Sequence, residues 1–283
     1  MITYLQSIIL GGLQGFTELF PISSLGHTVI LPRLLGWSID QSAESFVIFL
    51  VATHFATALV LVFFFWSDWW KIAFGFFRSV GARRIPAGDT YARLAWLIII
   101  ATIPAGILGL ALDKKFEELF AAPAVVALFL VGNGFLLYGA EILRKRRSLP
   151  EHNDPDGAIV QLSFLQALAI GSMQALALFP GFSRTGAALA GGLLCKLNHE
   201  SAARFSFLLA TPLIFAAAAL KLPKLFSAGN GLPLAQILTG SVVSAICAYF
   251  AIKYLTKYFK TNTLVPFAVY CVIAGVVSFI VIR

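Results

Sequence analysis

Apolar residues run through this chain in long blocks separated by short polar or basic stretches. Six blocks reach the roughly 20 residues an α-helix needs to cross a bilayer: about 45–66, 94–112, 123–143, 203–222, 233–255 and 264–282. Two further blocks are broken in the middle. Residues 2–36 are interrupted by Pro21-Ile22-Ser23-Ser24-Leu25-Gly26, and residues 161–196 by Pro180-Gly181-Phe182-Ser183-Arg184-Thr185-Gly186. Backbone that leaves the helix at membrane depth survives only when protein covers it or it lines a water-filled cavity. The pattern therefore predicts two re-entrant helical hairpins and six full spans, an all-α integral membrane protein of about ten helices.

The two broken blocks match each other at an offset of about 160, with Gly11, Gln14, Ser23 and Gly26 against Gly171, Gln174, Ser183 and Gly186. Further on, Pro123 and Gly132 match Pro266 and Gly275 with the same spacing. This predicts a single membrane domain over 1–283, built from a first repeat (1–143), a linker (144–160) and a second repeat (161–283). Each repeat is one hairpin plus three spans. Three is odd, so the second repeat is expected to be inverted, an arrangement that places a polar site near the repeat interface. Alternating the spans collects most Lys and Arg on one side, among them Arg83, Arg84, Arg144, Lys145, Arg146 and Arg147. The positive-inside rule assigns that side and the linker to the cytoplasm and both termini to the outside.

Composition agrees. Hydrophobic residues make up 59% of the 283 and charged residues 12%, against about 25% charged in soluble domains. A net charge of +8 would suggest nucleic acid in a soluble protein. Here the cations lie mostly in short loops between apolar runs, so no nucleic acid partner is expected. Cys195, Cys247 and Cys271 show neither a disulfide framework nor a metal-ligand spacing. The start, Met1-Ile2-Thr3-Tyr4, lacks a basic n-region, so a cleaved signal peptide is not expected.

Against that background a few polar residues need a reason, because a charge at the bilayer centre costs roughly 2.5–3.5 kcal/mol on insertion scales. Gln14 and Glu18 are four apart and share a helix face. That face can bind a cation, position a water, orient a histidine or satisfy backbone near Pro21. Ser23 and Ser24 suit a helix cap, with His27 in the first turn. Ser183, Arg184, Thr185 and Gly186 combine hydroxyl donors, backbone N–H groups at a helix start and a planar guanidinium, all suited to phosphate. Arg184 can also pair with Glu18 and join the halves. His54, beside Thr53 and Thr57 in the first span, can line a cavity or bond a neighbouring helix.

Gln14-Gly15-Phe16-Thr17-Glu18, Pro21-Ile22-Ser23-Ser24-Leu25-Gly26-His27 and Pro180-Gly181-Phe182-Ser183-Arg184-Thr185-Gly186 resemble the two motifs of the undecaprenyl-diphosphate phosphatase (bacitracin-resistance) family, in the same order. Gln14 stands where some members have a second Glu, Thr185 replaces a Ser and keeps its hydroxyl, and Ala188 replaces a Thr. The resemblance implies a membrane hydrolase that converts undecaprenyl diphosphate to undecaprenyl phosphate and phosphate. That reaction recycles the lipid carrier for peptidoglycan and confers bacitracin resistance. It also implies a site open to the outer face of the bacterial inner membrane. Catalysis then falls to His27, Ser24 and Glu18, with the nucleophile left open between His27, Ser24 and water. Phosphate binding falls to Arg184, Ser183, Thr185, Gly186 and Ser23, with Gln14 and His54 in support. In this reading Glu18 orients His27 or holds a divalent cation, Mg2+ or Ca2+; no organic cofactor is expected. The partners are a polyprenyl diphosphate, membrane lipids and a second copy of the chain. A polyprenyl-phosphate flippase is the competing function, since it too needs phosphate recognition on broken helices.

Overall fold

Two capping boxes start the two hairpins. Thr3 N–H donates to Gln6 Oε1 (2.9 Å) while Gln6 N–H donates to Thr3 Oγ1 (3.2 Å). Ser163 and Gln166 repeat the exchange at 2.8 and 3.2 Å, and each box satisfies N–H groups that a helix start leaves open. In this computed structural model residues 2–41, 43–120, 122–145, 154–221 and 233–283 are described, with backbone alone for 112–120. Among them the chain forms twelve α-helices and one 3-10 turn, with no strand. In order they are α1 (Tyr4–Thr17), α2 (Ser24–Leu34), α3 (Glu44–Phe64), α4 (Trp66–Gly81), α5 (Thr90–Phe120), α6 (Pro123–Lys145), α7 (Pro155–Ile159) and α8 (Phe164–Gln174). The 3-10 turn Ala175–Leu178 follows, then α9 (Arg184–Leu194), α10 (His199–Lys221), α11 (Leu234–Tyr258) and α12 (Val265–Ile282).

Six of these are long and apolar enough to cross a membrane: α3, the Thr90–Ala111 part of α5, α6, α10, α11 and α12. They coincide with the six predicted spans, and α1–α2 and α8–α9 are the shorter helices flanking the two predicted breaks. The protein is a multi-pass membrane protein. The predicted loop 67–93 is different, because α4 fills its first half. Phe63, Trp66, Trp70, Phe74 and Phe77 recur at three- to four-residue spacing and are exposed, while Ile72, Gly75 and Ser79 are buried against α5. Such an amphipathic helix reads as loop when only long apolar runs are sought. Helix α5 likewise continues through much of the predicted loop 113–122. The predicted loop 223–232, Arg146, Arg147 and the middle of the linker lie outside the described residues.

Small residues set the helix packing. A Cβ on Gly11 or Gly15 of α1 would collide with the backbone carbonyls of Gly240 and Ser244 on α11. One on Gly171 of α8 would collide with the carbonyl of Ala101 on α5. A Cβ on Gly134 would lie 2.7 Å from Ala268 O, and one on Gly275 2.8 Å from Ala127 O, so α6 and α12 touch along their length and run antiparallel. Backbones this close are the usual source of helix association in lipid, where dispersion replaces the hydrophobic effect.

Away from the breaks, ion pairs join the loop-side ends of the helices. Arg204 on α10 holds Asp156 of α7 with two bonds (2.6 and 2.9 Å) and Asp68 of α4 at 3.0 Å. It therefore does not pair with Glu200, four residues earlier, which faces Lys260 at 3.7 Å. Glu141 of α6 accepts from His199 (2.8 Å) and from Leu264 N–H at the start of α12 (3.2 Å). Asp89 precedes α5 and accepts from Ala92 N–H. Burial opposes its charge, but that N–H and the Arg78 guanidinium hold its carboxyl below the usual carboxylate range.

Candidate active site

The two breaks meet at the centre of the molecule. Ser23 precedes α2 with φ 68°, outside the helical region, and its Oγ accepts from Gly26 N–H (3.1 Å). Ser183 does the same for α9, accepting from Gly186 N–H at 3.0 Å. Hydrogen bonds then tie one break to the other. Thr185 Oγ1 donates to the Glu18 carbonyl (3.0 Å), Ser183 Oγ donates to the Phe20 carbonyl (3.3 Å), and Asn133 of α6 bridges both. Asn133 Nδ2 donates to Pro21 O (2.9 Å) and its Oδ1 accepts from Ser183 N–H (3.0 Å).

Asn133 is fully buried and was not singled out above; one amide inside the apolar run of α6 was its only local signal. Asn133→Ala strands a carbonyl and an N–H in the interior, each at about 1–3 kcal/mol. The variant is expected to unfold at a clearly lower temperature and to lose turnover, measured by thermal denaturation in detergent and by phosphate release.

Glu18, 5% exposed, is the hub. Its Oε2 accepts from Gln14 Nε2 (2.9 Å) and Ser24 Oγ and faces His54 Nε2 at 3.2 Å; its Oε1 accepts from Arg184. Glu18, Gln14, Ser24, His54 and Arg184 are thus brought together by the fold from α1, α2, α3 and α9. His54 Nδ1 lies 2.7 Å from the Leu50 carbonyl, which can only accept, so Nδ1 carries a proton. Nε2 also faces an acceptor.

His27 is placed differently from the expectation that Glu18 would orient it. Its Nδ1 lies 2.6 Å from Ser23 O and its Nε2 2.7 Å from the Tyr270 hydroxyl of α12. The back-bond to the residue four earlier turns the ring toward α12, and His54 takes the place beside Glu18. Ser24 Oγ donates to Glu18 and not to His27. The hydroxyls of Ser183 and Thr185, expected to donate to phosphate, spend their protons on the Phe20 and Glu18 carbonyls. What remains for an anion is the Arg184 guanidinium, whose buried Nε has no acceptor, and the Arg184 and Thr185 N–H groups at the start of α9, since the Gly186 N–H is taken by Ser183 Oγ.

The Glu18 carboxylate is engaged by side-chain donors, three on Oε2 and the Arg184 guanidinium on Oε1, so a divalent cation held there would share Oε1 with that guanidinium or replace it. Among the described residues no three His, Cys, Asp or Glu side chains cluster as a metal site.

Comparison with known proteins agrees with the arrangement of motifs. Residues 7–277 match the family described as "Bacitracin resistance protein BacA". A protein of Mycolicibacterium paratuberculosis named "Undecaprenyl-diphosphatase" is 46% identical, over 99% of this chain and 97% of that one. "Undecaprenyl-diphosphatase 2" of Burkholderia orbicola is 45% identical over 95% and 93%. "Undecaprenyl-diphosphatase 2" of Frankia alni is 40% identical over 97% and 96%. With two motifs folded into one buried cluster and nearly the whole length matched, this chain belongs to the bacitracin resistance protein BacA family.

Proposed function

We propose that this chain hydrolyses undecaprenyl diphosphate to undecaprenyl phosphate and inorganic phosphate, using the cluster between the two breaks. The observation that carries the reading is the hydroxyl–carboxylate–guanidinium line of Ser24, Glu18 and Arg184, buried between helices that a lipid tail can approach sideways. A protein that only moved the lipid would need the guanidinium but not a serine hydrogen-bonded to a carboxylate.

The diphosphate draws the Arg184 fork from Glu18, and the guanidinium with the N-terminus of α9 neutralises the charge that grows on the transferring phosphoryl group. Glu18 then lacks its cation and is a stronger base toward Ser24. Ser24 Oγ attacks the terminal phosphorus and its proton passes to Glu18 Oε2. The bond from that phosphorus to the bridging oxygen breaks, and undecaprenyl phosphate leaves. Water attacks the phosphoserine with its proton taken by His27 Nε2, the phosphorus–Oγ bond breaks, Ser24 recovers its proton from Glu18, and His27 returns to its neutral form by passing the water's proton to solvent as phosphate leaves. The sum is one water consumed and one phosphate released.

The inverted duplication is part of the same proposal. Its support is reciprocal: α1 packs parallel on α11 and α8 packs parallel on α5, while the third spans of the two halves, α6 and α12, run antiparallel. The cationic loops belong on the cytoplasmic side of the bacterial inner membrane, with the site opening to the periplasm.

Phosphate release from undecaprenyl diphosphate by the purified protein in detergent tests the activity. Turnover is expected in the wild type, with less than about a hundredth of it in Ser24→Ala, given what loss of a nucleophile costs. Wild-type turnover in Ser24→Ala refutes the serine route, and intact lipid crossing liposome leaflets without phosphate release refutes the hydrolase. An arm in EDTA asks whether the diphosphate brings a cation with it.

A further inference from the structure

Both sequence motifs end before residue 187, yet the reactive nitrogen of His27 is held by a residue in the last helix. The Tyr270 hydroxyl lies 2.7 Å from His27 Nε2, and the two rings lie nearly parallel, 8° apart with centroids 5.6 Å from each other. On the far side of the imidazole the Ser23 carbonyl can only accept, so Nδ1 carries the proton. No carboxylate is among the hydrogen-bond partners of His27, because Glu18 is taken by Arg184, His54, Ser24 and Gln14. The ring is therefore the neutral Nδ1–H form, and the lone pair on Nε2 receives the phenol. Tyr270 itself is 43% exposed, at the contact of α12 with α2.

We infer that Tyr270 is a positioning residue for the hydrolysis. Its hydroxyl holds the His27 ring at a fixed rotation with the Nε2 lone pair turned to the approach of substrate, and it gives that place up when phosphate and water enter. The assignment rests on the reading of His27 as the base. It differs from that reading in calling on a hydroxyl from α12, whose matching position in the first half, Ala127, has none.

The test compares Tyr270→Phe with Tyr270→Leu in the full chain. Phe keeps the ring that stacks on His27 and removes only the hydroxyl. One hydrogen bond of this kind is worth roughly a three- to tenfold factor, so Tyr270→Phe is expected to lower kcat about that much with KM changed less than about twofold. Tyr270→Leu is expected to fall at least as far. Spectra of the 15N-histidine-labelled protein, with the His27 signals assigned by their loss in His27→Ala, provide the second readout. In the wild type His27 should show a protonated Nδ1 and an unprotonated Nε2, and in Tyr270→Phe the Nε2 signal should move downfield as its donor is lost. Unchanged kcat together with an unmoved Nε2 signal in Tyr270→Phe overturns the assignment. If His27→Ala itself keeps wild-type turnover, the reading of His27 falls first and the two failures are told apart.

Discussion

Arg184→Ala is expected to lower kcat/KM for undecaprenyl diphosphate by about 10³-fold or more, the range seen when a cation on the transferring phosphoryl group is removed. The guanidinium is the one cation that the second break brings into the cluster, and the hydroxyls around it are already committed to carbonyls. Arg184→Lys keeps a charge but not the planar fork, so it is expected to recover part of the loss and not all of it. The fold should survive, because four other hydrogen bonds, through Thr185, Ser183 and Asn133, still join the breaks when the guanidinium is removed. Glu18 keeps three other donors, so its penalty stays below the roughly 3–5 kcal/mol of a fully stranded buried ion. Phosphate release and thermal unfolding on the same preparation check both halves of the statement. Wild-type turnover in a folded Arg184→Ala protein would remove the second motif from the chemistry.

Glu18→Gln is expected to cost both activity and stability. The amide has nearly the carboxylate's shape but only one accepting oxygen, and its own N–H2 would point at donors. Four donors from four helices converge on Glu18, so at least one is left unpaired and the Arg184 cation loses its counter-charge. Breaking such a buried pair costs roughly 3–5 kcal/mol. The base beside Ser24 is lost as well, and general-base contributions are about 10²–10⁴-fold. The measurement is kcat together with the unfolding midpoint. A variant as stable as wild type would mean that the buried cluster does not hold the hairpins together, and unaltered kcat would exclude Glu18 as the base. Glu18→Asp should do less harm, since it keeps the charge and shortens its reach by one methylene.

Much of this site was legible in the sequence because the signals are local. Glu18 and Gln14 share a face by helical spacing, and Pro21 and Pro180 mark where that spacing stops. Ser23 and Ser183 sit where helices restart, and both do cap them. The assignment of partners was not legible. Nothing in the spacing of Ser24 and His27 says that the serine bonds Glu18 while the histidine turns to Tyr270. His54 read equally well as a helix–helix contact, and only the approach of α3 to the first break makes it the neighbour of Glu18.

By itself, then, the sequence determined six spans, two interrupted apolar blocks and the polar residues that stand at both breaks, because bilayer length, helix period and breaker residues act within a few turns of chain. Only the tertiary structure decided that Asn133 laces the two breaks, that Glu18 binds His54 and Arg184 at once, and that Tyr270 from the last helix holds His27. These contacts join residues between 36 and 243 positions apart. Glycines on α1, α6, α8 and α12 let helices from distant parts of the chain come within backbone contact, and the spacing of glycines in one helix does not say which helix it will meet.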